Sequence, residues 1–128
     1  MVRTVAAVDA AFDAAQRLDM ESFRDFDRET WRAVHDVDAV SILATGAVMA
    51  GRDEIVAALA AHFDERRARW SWTELSRRVE PERFGHVLYE TRYEIPGAGF
   101  RQRALTGVTF GFVDGGWLVV CDQATPLP

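Results

Sequence analysis

Residues Phe84 to Gln123 read FGHVLYETRYEI, PGAG, FRQRALTGVTFGFV, DG, GWLVVCDQ, and this stretch decides the fold. Three runs of alternating apolar and polar residues are separated by Pro96-Gly97-Ala98-Gly99 and Asp114-Gly115, both hairpin-turn signals. A hairpin turn fixes the register of its strands. With Asp114-Gly115 as a two-residue loop, Phe110 stands against Val119, Val108 against Cys121 and Thr106 against Gln123. With Pro96 to Gly99 as the other loop, Glu94 pairs with Arg101, Val87 with Val108 and Tyr89 with Thr106. Both counts put Thr106, Val108 and Phe110 on one face, flanked by Val87, Tyr89, Thr91 and Tyr93 on one side and Val119, Cys121 and Gln123 on the other. This apolar face is expected to meet helices. Across it runs a polar rung, Tyr89–Thr106–Gln123. Buried hydroxyl and amide groups need partners, so the rung is either a self-satisfied network or the lining of a pocket.

Upstream of these strands the pattern turns helical. Val5, Val8, Phe12 and Ala15 share a helical face, with Thr4 as N-cap. Asp19 reads as a second N-cap, opening a second helix over about Met20 to Val34. Val37 to Ala44 and Ala47 to Ala50 read as a short strand pair around Thr45-Gly46, and Arg52 opens a third helix with Ile55, Val56, Leu59 and Phe63 inward. Trp70 to Val79 is a further strand, turned by Pro81, and the tail from Thr125 is not expected to continue a central strand.

Composition narrows the class. The chain has 128 residues, enough for one domain spanning 1–128 with a sizeable core. A net charge of −5 argues against nucleic acid and against a polybasic membrane contact. No apolar run approaches the ~20 residues of a membrane span, and Met1 to Thr4 do not begin a signal peptide. All 15 basic residues are arginine, which fits a GC-rich bacterial genome and excludes lysine chemistry. The lone Cys121 forms no internal disulfide and fits a reducing cytoplasm. One Cys and three His give no metal spacing, and no cofactor motif occurs.

Several side chains are candidates for chemistry. If the register runs unbroken through the turn at Pro81, Glu74 lies on the inner face beside Tyr89, where burial would raise its pKa and make it a base. Against this stands the plain reading of a solvated strand glutamate. His35 and Asp36 close the second helix, either as a His–Asp pair or, more simply, as residues suited to a helix end. Trp31 and Trp72 line a cavity or pack in the core. Cys121 is expected to be buried and inert, and His62 and His86 to lie on solvated faces.

Two blocks carry a family resemblance. His35-Asp36-Val37-Asp38-Ala39-Val40 is followed by Gly46-Ala47-Val48-Met49-Ala50-Gly51-Arg52-Asp53-Glu54-Ile55, and Asp114-Gly115-Gly116-Trp117-Leu118-Val119-Val120 closes the pattern. With the element order, these resemble the nuclear transport factor 2-like superfamily, nearest its SnoaL-like branch. The resemblance implies an α+β fold: a cone-shaped, curved mixed sheet wrapped around N-terminal helices. It implies a cavity and a homodimer through the outer sheet face, where Leu88, Leu105 and Leu118 sit among charges. The ketosteroid-isomerase-like pattern would place its base near Leu43, its tyrosine near Ala11 and its protonated acid near Val108; all three are apolar, so that chemistry is not expected. A histidine found near the last strand's end in related branches is Gln123 here, which orients a ligand but moves no proton.

The expected function is therefore the binding of a hydrophobic small molecule, within secondary metabolism, by Trp31, Trp72, Tyr89, Thr106, Val108, Cys121 and Gln123. One alternative is a cofactor-free isomerase, cyclase or hydrolase using Glu74, Tyr89 and His35. Another is a dimerising interaction domain with a filled core.

Overall fold

In the computed structural model the backbone is described from Val5 to Pro128 and side chains from Ala10 onward. The expected Thr4 cap and the Val5 and Val8 side chains lie outside the described residues. The elements run α1 (Val5–Arg24), α2 (Arg28–Ala33), β1 (His35–Ile42), β2 (Val48–Ala50), α3 (Arg52–Ala58), α4 (Ala60–Glu65), β3 (Arg69–Glu80), β4 (Phe84–Ile95), β5 (Phe100–Val113) and β6 (Gly116–Pro126). The six strands form one mixed sheet in the order β2-β1-β6-β5-β4-β3, parallel only between β1 and β6. This is the α+β cone expected from the sequence. No described helix is long and apolar enough to cross a membrane.

The β4–β5 register holds as counted, from Phe84 opposite Gly111 to Ile95 opposite Phe100. The β5–β6 register holds only near its turn. Phe110 faces Val119, but Thr109 faces Cys121, so Val120 is an extra residue in β6. Such a bulge flips every side chain beyond it. Val108 therefore faces Asp122 and Thr106 faces Ala124, not Cys121 and Gln123. A second bulge falls at Leu75 in β3. β6 also runs further than expected, with Pro126 paired to Ala104. Pairing with β1 has ended by Gln123, so the proline's missing N–H leaves no gap in that ladder.

The helices also depart from expectation. Asp19 caps nothing; it lies inside α1, which continues to Arg24. The chain turns instead at Asp25 to Asp27, where Phe26 takes a positive φ of 60° and the Asp27 carboxylate accepts from the Thr30 N–H at 3.2 Å. The inward face of α1 carries Phe12, Gln16, Asp19, Met20 and Phe23, at i, i+4, i+7, i+8 and i+11. Phe12 is fully buried and meets Phe110 and Trp117 edge-on, with centroids 5.0 and 5.3 Å away. Each such pair adds about 0.5–1.5 kcal/mol beyond its buried area. Its ring also fills the space over Gly85, where an added Cβ would meet Phe12 Cε1 at 2.0 Å. A second cluster of Trp31, Ala39, Met49, Ile55 and Phe63 closes the other end.

Candidate functional site

Between these two clusters the sheet and helices leave a cavity of about 280 Å³. Its walls are apolar and largely aromatic: Met20 and Phe23 from α1, Trp31 from α2, Trp70 from β3, Tyr93 from β4 and Phe100 from β5. The polar lining is sparse, with Thr91, Thr106, Gln102, Ser41, Asp19 and Asp122 as its main members.

Asp19 and Asp122 set the electrostatics. Asp19 is 6% exposed, and burial, with Asp122 nearby adding repulsion, pushes its carboxyl up to about 8; the Trp31 indole pulls weakly the other way. Asp122 is directly opposite Ser41 in the parallel β1–β6 pair, and Ser41 Oγ donates to its Oδ1. Burial raises Asp122 to about 6 against that hydroxyl's opposing effect. At neutral pH the floor of the cavity thus offers one protonated carboxyl, a donor, and one carboxylate, an acceptor.

Behind Asp19 lies His35, the first residue of β1 rather than the end of a helix, and 1% exposed. Its Nδ1–H donates to the Trp31 carbonyl at 2.6 Å, so its Nε2 carries the lone pair; that atom has no hydrogen-bond partner among the described residues and lies 4.0 Å from Asp19 Oδ1. Burial holds its pKa down to about 4, and Arg52 adds repulsion while the Trp31 carbonyl opposes both. His35 is a neutral imidazole aimed at a protonated acid. It is not paired with Asp36.

The walls are held by their own bonds. His62 is buried, contrary to the solvated position expected for it. It stacks on Phe23 with centroids 3.8 Å apart and planes 6° from parallel. Its Nε2–H donates to the Phe23 carbonyl and its Nδ1 accepts from Tyr93 Oη, each at 2.8 Å. Thr91 and Thr106 bond each other at 2.8 Å. The Trp70 indole N–H is buried without a partner among the described residues.

Of the expected site residues, Trp31, Thr106 and Val108 line the cavity. Tyr89 is buried opposite Thr106, but it is outside the lining and its hydroxyl donates to Gln16 Oε1 at 2.8 Å. The rung expected across the face is therefore broken up. Tyr89 bonds α1, Thr106 bonds Thr91, and Gln123 is exposed beyond the bulge. Cys121 and Trp72 are half-buried and outside the lining. Glu74 does face Tyr89 across the β3–β4 ladder, yet it is exposed and its carboxylate takes a 2.7 Å bond from Arg77 Nη2. Asp19 and Asp122 were missed by sequence reasoning. The signal for Asp19 was its place on the helical stripe through Phe12, Met20 and Phe23. Asp122 carried none, because its inward turn depends on one unpaired residue. Among the described residues no group of three or more His, Cys, Asp or Glu side chains is placed to hold a metal ion.

No family model and no curated protein matches the sequence. Solved structures do match. A domain of unknown function with a cystatin-like fold from Nostoc punctiforme is 22% identical, with a TM-score of 0.80 over 98% of this chain and 80% of that one. A nuclear transport factor 2-like protein of unknown function from Shewanella oneidensis is 12% identical, with a TM-score of 0.75 over 91% and 97%. A ketosteroid isomerase-like protein from Erwinia carotovora atroseptica is 13% identical, with a TM-score of 0.76 over 93% and 95%. The chain thus has the cystatin-like, nuclear transport factor 2-like fold. That fold hosts unrelated functions, so function has to be argued from the site.

Proposed function

We propose that this chain binds a small, largely apolar molecule in the cavity, with the molecule's polar group against Asp19 and Asp122. The observation that carries the reading is an aromatic-walled space of about 280 Å³ ending on two carboxyls, Asp19 buried and Asp122 half-buried. Apolar pockets with a few convergent polar groups are the usual small-molecule sites. At ~30 Å³ per water the space corresponds to roughly nine waters, which suits a body of one or two fused rings. An open space of this size also argues against a filled-core interaction domain. Titration calorimetry with 2-naphthylmethanol tests the reading. Saturable binding that Thr106→Phe abolishes is expected, because that ring would occupy the cavity; heats no different from dilution with the alcohol and with its amine and carboxylate analogues alike would overturn it.

A second reading, a cofactor-free isomerase, cyclase or hydrolase, is supported by the unequal acidities of Asp19 and Asp122. Two carboxyls pushed apart in pKa are suited to act as general acid and general base. In that reading the roles first given to Glu74 and Tyr89 fall to Asp19 and Asp122, with His35 Nε2 4.0 Å behind Asp19. Turnover would then be highest between about pH 6 and 8, the values of the pair. The SnoaL-like affinity and a place in secondary metabolism remain compatible with either reading. We further propose a homodimer through the outer face of the sheet, where half-buried Leu88, Leu105 and Leu118 stand among Glu90, Arg92 and Arg103.

A further inference from the structure

Resting on the binding reading above, we propose that the ligand is a cation: a protonated amine on an apolar, ring-sized body, its ammonium seated against Asp19 and Asp122. Among the described residues the two carboxyls have no cationic partner. None of the described residues lining the cavity is Arg or His. The arginine ion pairs of the described residues engage other acids, such as Asp25, Asp53, Asp64, Glu74 and Glu90, and none of them reaches Asp19 or Asp122. Among the described residues the only basic group beside Asp19 is His35, whose one ring proton is committed to the Trp31 carbonyl, and the hydrogen bond Asp19 receives comes from the neutral Trp31 indole. Among the described residues the Asp122 carboxyl receives the Ser41 hydroxyl alone. A buried carboxyl is ordinarily paired, yet Asp19, with half-buried Asp122 beside it, faces an open space.

The walls suit the missing cation. Phe23, Trp31, Trp70, Tyr93 and Phe100 surround the cavity, and the negative faces of such rings attract ammonium groups. Three N–H donors on a primary ammonium match the oxygens that the two carboxyls present. An anionic ligand would meet a carboxylate in a low-dielectric space with no counter-charge, where repulsion is strong. A neutral ligand would leave the Asp122 charge with its single hydroxyl partner.

Proton counting makes the inference testable. In the free protein Asp19 holds its proton at pH 7. An ammonium beside it favours the ionised form, so an amine already protonated in solution expels up to about one proton as it binds. A neutral ligand gives no such release.

The experiment uses the full chain and three probes of one shape: 2-naphthylmethylamine, 2-naphthylmethanol and 2-naphthoate. Calorimetry at pH 7 in buffers of different ionisation enthalpy reads affinity and proton release together. The amine is expected to bind at least about tenfold tighter than the alcohol, to release close to one proton, and to lose that preference in Asp122→Asn. The naphthoate is expected to bind weakest. Equal binding of amine and alcohol, or tightest binding of the naphthoate, would overturn the cationic ligand while leaving the binding reading intact. Failure of all three probes would overturn both. Should Asp122→Asn not fold, proton release by the native chain decides the question by itself.

Discussion

Asp19→Asn should make the protein more stable above neutrality and flatten the dependence of its stability on pH. Asp19 sits inside α1, and its carboxyl is pushed up to about 8 from an unfolded value of 3.8. Between those values the folded chain binds a proton that the unfolded chain does not. Stability then falls as pH rises, by about 1.4 kcal/mol per pH unit for one proton. Two neighbours complicate the acid side. Asp122, raised to about 6, adds a fall of the same sign between 3.8 and 6. His35, lowered from 6.5 to about 4, adds a rise over that interval, because its unfolded form takes up a proton that the folded form refuses. Above pH 6.5 Asp19 dominates, opposed by His35, whose unfolded form is still half protonated at 6.5 and loses that proton as pH rises toward 8. From pH 6.5 to 8 the native chain should therefore lose about 1.4 kcal/mol, since Asp19 is half ionised at the upper end and His35 offsets part of the fall. An asparagine has nothing to ionise and should lose almost none. Urea unfolding followed by tryptophan fluorescence at pH 6.5, 7.25 and 8 measures the slope directly. A native chain with flat or rising stability across this window would refute the assignment of a buried, protonated Asp19. So would an Asp19→Asn variant that keeps the native slope.

Asp122→Asn should remove the fall attributed to Asp122 below pH 6. It should also move the end of the Asp19 window below 8, since Asp122 repulsion contributes to that value; the same pH series of urea melts reads both effects. Gly85→Ala places a methyl where Phe12 Cε1 now lies 2.0 Å away, so thermal melts should show a loss of about 1–3 kcal/mol from overpacking, and native stability in this variant would contradict the packing described. Light scattering at micromolar concentration should give about twice 14.4 kDa, reduced to the single-chain mass by Leu118→Arg, whereas a monomeric native chain would end the dimer proposal.

Most of the architecture was legible because it rests on local chemistry. Pro96 to Gly99 and Asp114-Gly115 set two hairpins, and the β4–β5 pairing follows from its turn over the whole length of both strands. The helices were legible as apolar stripes, while their boundary was not. An aspartate followed by a glutamate two residues later reads as a helix start, and only tertiary packing shows that Asp19 belongs to the interior of α1. His62 failed in the same way. Its side chain looked solvated on an alanine-rich helix, yet Phe23 and Tyr93, from distant parts of the chain, give it a ring to stack on and a partner for each nitrogen.

The site itself turns on one backbone residue. Counting from Asp114-Gly115 gives the right partners as far as Phe110 and Val119, and the unpaired Val120 then exchanges the two faces of β6. Before that exchange the inner face would carry Cys121 and Gln123, a weak donor and a neutral amide. After it the inner face carries Asp122, placed opposite Val108 on β5 and Ser41 on β1, so a half-buried acid replaces an amide at the cavity floor. A bulge is favoured here because β6 must pair with β5 on one side and run parallel to β1 on the other, and β1 is itself irregular between His35 and Val40. A strand serving two ladders whose residues fall out of step takes up the difference by leaving one residue unpaired. No turn signal or periodicity in Gly116 to Gln123 records that constraint, since it arises from β1, some 80 residues earlier in the chain. The acid pair is thus a product of sheet geometry acting at a distance. That is why a reading that recovered nearly every strand still placed the chemistry on Glu74, Tyr89 and Gln123 rather than on Asp19 and Asp122.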